Sequence, residues 1–261
     1  MTENNRERLR KSSEAKAKQQ RLNRIIGVGA AILAVVLIGV FAVVLVQQAG
    51  TASPSATSVT PPNATSDNKA IVVNPGLAKE GAPVVELFFD YQCPICKQFE
   101  TLYGEALQVL ANAGDIELRN RNMTFLDNNL QNDSSTRSGI AAACSDVTGK
   151  YAAFHAEIYN HQPANEGDGY TDEVLRDTIP ASVGITGEAL TKFQACYDEQ
   201  STKAFVQGMN DLASKDGITG TPSFHVNGKD IPLSDFSGVD RVTLRDLLKK
   251  NASPCEPDRR G

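Results

Sequence analysis

The chain has 261 residues, 41% of them hydrophobic, and a formal net charge of −5, which leaves room for one medium domain with appendages. The charge is uneven: residues 1–24 hold eight Lys or Arg (Arg6, Arg8, Arg10, Lys11, Lys16, Lys18, Arg21, Arg24) against Glu3, Glu7 and Glu14, leaving about −10 on the remainder. A basic arm of this kind can bind nucleic acid, but this one runs straight into IIGVGAAILAVVLIGVFAVVLV, 22 uncharged residues from Ile25 to Val46, so no nucleic-acid role is expected. As a helix the run would rise about 33 Å, enough for the hydrocarbon core of a bilayer. The positive flank predicts that residues 1–24 stay in the cytoplasm and that everything after Val46 is extracytoplasmic, at a cell membrane crossed once. Cleavage as a secretory signal is the alternative, with Gly50 and Ala52 as a small-x-small site, but the run exceeds a usual signal core and an uncleaved anchor is favoured. Either reading exports the rest of the chain.

Residues 47–69 are rich in Ser, Thr, Ala and Pro without an apolar period, and are expected to be a flexible tether. From Ala70 to about Asn251 the composition is globular, and residues 252–261 form a polar tail. Within 70–251, APVVELFFDY reads as a buried strand behind Gly81 and Pro83. CPICKQFETLYGEALQVLANAG repeats its apolar residues at helical spacing and ends on Gly114 as a carboxyl-terminal cap. IELRNRNMTF predicts a second strand, and a mostly helical stretch comes next, from about 134 to 214. GITGTPSFHVNGKDI then supplies a Gly-rich loop, Pro222 and a hairpin at Asn227-Gly228, and VDRVTLRDLLKKN an amphipathic closing helix. This order predicts an α/β fold, a small sheet covered by helices with more helices inserted in the middle.

There are five cysteines: Cys93, Cys96, Cys144, Cys196 and Cys255. Export makes oxidation possible for an even subset. In FFDYQCPICKQFE, residues 88–100, Cys93 would stand at the start of a helix, where free backbone N–H groups and the macrodipole favour its thiolate. Pro94 suits the first turn, where its missing N–H is tolerated. Cys96 would lie on the same face but deeper. One reachable sulfur and a second that can release a mixed disulfide are what a reversible dithiol needs. Half of a zinc site is the competing reading, but His155, His161 and His225 are dispersed and no second CxxC occurs. A purely structural CxxC bridge stays open. The acidic GDGYTDE near residue 169 lacks EF-hand spacing, and no metal or other cofactor is assigned. The histidines of YAAFHAEIYNH read as surface or packing residues.

FFDYQCPICKQFE, the helical middle and GITGTPSF about 130 residues later together resemble the DsbA-like thioredoxin-fold disulfide oxidoreductases of the bacterial envelope, over about residues 70–250. The resemblance implies a thioredoxin fold with an inserted helical subdomain, behind one transmembrane helix. It implies a redox-active Cys93-Cys96 disulfide with Pro94-Ile95 as the active-site dipeptide. It implies that Pro222 is cis against the sulfurs, with the Thr221 backbone pairing with an extended substrate. A second, structural disulfide between Cys144 and Cys196 is implied by the same likeness and by export, in place of two buried free thiols. Cys255 is left over, as a free thiol, an intermolecular bridge or an adduct. Two departures stand out. Many relatives place a buried acid six residues before the first cysteine, where this chain has Leu87, with Glu86 on the opposite face of the strand and Asp90 at its end. Strong oxidants carry His in the dipeptide, where this chain has Ile95, so a milder oxidant with a less depressed Cys93 pKa is expected.

The resulting expectation is an enzyme that introduces disulfides into reduced exported proteins. It would be reoxidised by a quinone-linked membrane protein of the DsbB or vitamin K epoxide reductase-like type. The alternatives are an isomerase or reductase on the same fold, and a non-catalytic anchored binding module whose CxxC is a static bridge.

Overall fold

The computed structural model describes residues 58–252. The basic segment, the apolar run Ile25–Val46 and Cys255 lie outside them. Among the described residues no helix is long and apolar enough to cross a membrane.

The first strands are β1 (Ile71–Val72), β2 (Val84–Phe89) and β3 (Glu117–Asn122). Helices α1 (Pro94–Phe99) and α2 (Glu105–Asn112) lie between β2 and β3, joined by a wider π-helical turn at Glu100–Gly104. Uninterrupted helical spacing across this stretch did not reveal that turn. After β3 come α3 (Phe125–Leu130), α4 (Ser134–Asp146) and α5 (Tyr151–Asn160), then α6 (Ile179–Ser182), α7 (Gly187–Asp198) and α8 (Lys203–Lys215). The chain returns through β4 (Ser223–Val226) and β5 (Lys229–Asp230) and ends in α9 (Arg241–Ala252).

The sheet order is β1-β3-β2-β4-β5, with β2 parallel to β3 and antiparallel to β4. β2 is therefore central, and VVELFF supplies the β-branched and aromatic residues suited to that place. Phe89 on β2 and Phe224 on β4 are buried, each worth roughly 2–3 kcal/mol of apolar burial. The predicted hairpin forms at Asn227 (φ 49°) and Gly228 (φ 78°), both left-handed as a two-residue turn of this type requires.

Helix α4 organises the insertion. Its sequence SSTRSGIAAACSD is mostly small and almost wholly buried, which lets α5, α7 and α8 pack against it from different sides. A side chain at Gly139 would press on Asn122 and Val206. Cys144 on α4 is bonded to Cys196 on α7, with Cα atoms 5.8 Å apart.

One boundary differs from expectation. Residues 58–69, placed in the tether from their composition, pack on the domain: Val59 N–H donates to Ser201 O at 2.8 Å, and Asn63 donates from its backbone and side chain to the Asp146 carboxylate at 2.8 and 2.7 Å. Polar residues with specific partners carry this docking, which an apolar-period reading does not detect.

Candidate active site

β2 delivers the site. Past Phe89 the chain turns through Asp90, Tyr91 and Gln92, with the Cys93 N–H donating to Asp90 O at 3.0 Å and the Gln92 N–H to Asp90 Oδ1 at 2.9 Å. Cys93 is the extended residue that caps α1 (φ −74°, ψ 118°), and Pro94 occupies the first turn. This puts the Cys93 sulfur at the open end of a helix.

Cys93 and Cys96 are unbridged. Cys93 is 7% exposed and Cys96 2%, whereas Ile95 between them is 51% exposed. Cys93 Sγ donates to Thr221 O at 3.6 Å, and the Thr221-Pro222 peptide bond is cis. The structure thus brings Cys93, Pro94, Ile95, Cys96, Thr221 and Pro222 to one place, while Cys144 and Cys196 join each other within the insertion.

The two thiols differ in acidity. A hydrogen bond from the Cys96 thiol, against the opposing effect of burial, and the backbone amides of Cys96 and Ile95 bring the Cys93 pKa down to about 6. Burial pushes Cys96 well above the ordinary thiol value, and the neighbouring Cys93 charge adds to the rise. Near neutral pH the arrangement is one thiolate backed by one thiol.

The loop after α5 holds the backbone beneath this pair. Gln162 Nε2 donates to Tyr91 O at 2.7 Å and to Cys93 O at 3.0 Å, and Tyr170 OH donates to Tyr91 O at 2.8 Å. Gln92 Nε2 faces Asp127, Asn132 and Ser135, and Asn132 returns a bond to Gln92 Oε1 at 2.9 Å. Sequence reasoning missed Gln162, Tyr170 and Ser135, because no spacing to the CxxC marks them and only the folded insertion brings them near.

Leu87 is buried on the core face of β2, and Glu86 points the other way, to Arg121 at 3.4 Å. Beside Leu87 a small crevice also contains Glu100 and His155. Glu100 Oε2 lies 3.4 Å from His155 Nε2, whose ring accepts or donates at Nδ1 to Tyr91 OH at 2.8 Å. A partly buried carboxyl thus stands near the position of Leu87, supplied by the π-helical turn instead of the strand. His155 is a buried packing residue, whereas His161 and His225 are partly exposed. Among the described residues no group of three or more His, Cys, Asp or Glu could hold a metal ion.

A central mixed strand followed by a CxxC at a helix start, opposite a cis-proline loop, defines a thioredoxin-like protein. A family profile described as Thioredoxin matches residues 77–242, and the chain belongs to that family. No curated protein matches the chain. Its fold is similar to that of MdbA, a thiol-disulfide oxidoreductase from Actinomyces oris (TM-score 0.61, 22% identity, 75% of this chain and 96% of that one). It is similar also to MdbA from Corynebacterium diphtheriae (TM-score 0.58, 22% identity, 77% and 97%). Oxidised BdbD from Bacillus subtilis is a further likeness (TM-score 0.56, 21% identity, 76% and 98%).

Proposed function

We propose that this protein is a membrane-anchored, extracytoplasmic thiol-disulfide oxidoreductase that introduces disulfides into exported proteins through Cys93 and Cys96. The observation that carries the reading is the unequal thiol pair. Cys93, lowered to about 6, meets the Thr221 carbonyl, and Cys96 stands behind it as a buried thiol. The structural likeness to proteins named thiol-disulfide oxidoreductases supports it.

In the oxidised state a substrate thiolate attacks Cys93 Sγ, the bond between the two protein sulfurs breaks, and the electron pair moves to Cys96. A second substrate thiolate then attacks the substrate sulfur of the mixed disulfide, and Cys93 leaves as a thiolate. Its low pKa makes it a good leaving group. Thr221, next to Pro222, offers backbone groups to an extended substrate segment, and exposed Ile95 offers apolar contact. The reduced pair returns two electrons to a quinone-linked membrane partner of the DsbB or vitamin K epoxide reductase-like type. The run Ile25–Val46 with its basic flank supports the anchor, the extracytoplasmic side and the membrane setting of that partner. Cys144-Cys196 serves as the structural bridge.

Replacing Cys96 by Ala in the full chain tests the reading. Covalent adducts between Cys93 and exported proteins, released by dithiothreitol, are expected. Their absence, together with a wild-type disulfide that glutathione does not reduce, would leave a static module instead.

A further inference from the structure

We propose that the Asp90 carboxyl stores the second proton of the redox reaction, binding it when the Cys93-Cys96 pair is reduced and releasing it when the pair is a disulfide. This rests on the reading of Cys93-Cys96 as a working redox pair.

Asp90 is tied through its main chain to the Cys93 backbone and the Cys96 sulfur. Its backbone amide hydrogen-bonds the Cys96 sulfur, and its carbonyl accepts the Cys93 N–H at 3.0 Å and the Tyr159 OH at 3.4 Å. The turn closed by the Cys93 bond keeps the two Cα atoms within about 7 Å. The side chain is fully buried. Oδ1 accepts from Ser135 Oγ at 2.6 Å and from Gln92 N–H at 2.9 Å, whereas Oδ2 is buried with no hydrogen-bond partner among the described residues. A buried carboxylate oxygen left bare is costly, and a bound proton removes the charge.

The hydrogen bonds to Oδ1 compensate an anion only in part, and among the described residues no opposite charge faces it. Asp127 faces it from α3, Ser135 from α4, Tyr159 from α5 and Tyr170 from the loop before α6, with Gln92 on its own turn and Cys93 and Cys96 ahead of it. None of these is basic. Burial, with the Asp127 charge adding to it, pushes Asp90 up to about 7.

Reduction places a new negative charge on Cys93, one turn from this carboxyl in a poorly solvated site, and raises its affinity for a proton. The balanced change is disulfide plus Asp90 carboxylate plus two substrate thiols, giving Cys93 thiolate, Cys96 thiol, Asp90 carboxylic acid and a substrate disulfide. Two electrons pass from the substrate sulfurs to the protein sulfurs. One proton goes to Cys96 and the other to Asp90 instead of to solvent.

The test is to equilibrate the full chain with glutathione buffers from pH 5.5 to 8.5 and to read protons per electron pair from the pH dependence of the equilibrium. The wild type should take up close to two protons near pH 6.5 and close to one above pH 8, whereas Asp90→Asn should take up close to one already near pH 6.5. Because the two glutathione thiols release two protons in this range, the equilibrium constant with glutathione should stay nearly flat for the wild type between pH 6 and 7.5 and rise about tenfold for reduction of Asp90→Asn, since each proton is worth about tenfold per pH unit. Redox-difference infrared spectra of the wild type should show a protonated carboxyl band on reduction, shifted in Asp90→Glu, which answers the question even where Asp90→Asn fails to fold. Parallel pH dependences in wild type and variant, or no carboxyl band, overturn the proposal. A pair that does not exchange with glutathione at any pH removes the dithiol reading itself, and this inference with it.

Discussion

Hydrogen bonds account for the acidity of Cys93 against the effect of burial: the Cys96 thiol first, then the Cys96 amide, the Thr221 side chain and the Ile95 amide. Titrating the thiolate absorbance of the reduced protein should give a midpoint near pH 6, and a midpoint near 3.5 would contradict this account. Ile95 is half exposed beside the sulfur, so Ile95→His should place an imidazole there without disturbing the core. Its positive form favours the thiolate, and the midpoint should fall below the wild-type value, with a more oxidising glutathione equilibrium. An unchanged midpoint would mean that a residue at 95 does not reach Cys93 electrostatically. Much of this chemistry is readable in the sequence, since Cys93, Pro94, Ile95 and Cys96 lie in one short stretch and Thr221-Pro222 carries its own signature. The second ring of residues is not readable. Gln162 and Tyr170 grip the Tyr91 carbonyl from about 70 and 80 positions away, and a long-range side-chain bond to backbone leaves no periodic trace. Glu100 is visible within FFDYQCPICKQFE, but its pairing with His155 depends on how α5 packs.

Helix α4 couples the insertion to the site. Its amino end supplies Ser135 to Asp90 and Gln92, and its carboxyl end carries Cys144 to α7 and Asp146 to Asn63. The Cys144-Cys196 bridge spans a sequence separation of 52 residues, for which chain entropy gives about 4 kcal/mol, with 2–5 kcal/mol the usual cost of losing a native disulfide. Replacing both cysteines by Ala should lower the unfolding free energy by that order in denaturant titration. The variant should still form adducts through Cys93 in the Cys96→Ala background. A loss below about 0.5 kcal/mol would show that packing around α4 suffices alone. The elements themselves were largely legible, because a β-branched run, amphipathic helices and an Asn-Gly hairpin each have a local cause. The π-helical turn at Glu100–Gly104 and the docking of residues 58–69 were not, since one is a small deviation within a helical period and the other depends on polar contacts made at a distance.

Across the whole molecule the buried acids and the active-site thiols set opposite pH trends. Asp90 has a raised pKa, so the folded protein holds a proton that the unfolded chain has released, and its contribution to stability falls as pH climbs from about 4 to about 7. Cys93 has a lowered pKa, so its contribution in the reduced protein is gained as pH rises from about 6 to about 9. Cys96, raised, reverses that gain above about 9. In the oxidised protein Cys93 and Cys96 no longer titrate, so the stability of the reduced form relative to the oxidised form should increase between pH 6 and 9. Urea unfolding of both forms across that range measures the difference, and parallel profiles would sink the assignment. The site is also drawn from distant parts of the chain, because the Thr221 carbonyl that meets Cys93 lies 128 residues further on. Synthesis runs from the amino end, so each nascent copy presents its CxxC well before the loop that covers it has been made. During that interval the reactive pair is an unguarded dithiol open to any oxidant or thiol nearby, and the last third of the chain acts as its late-arriving shield.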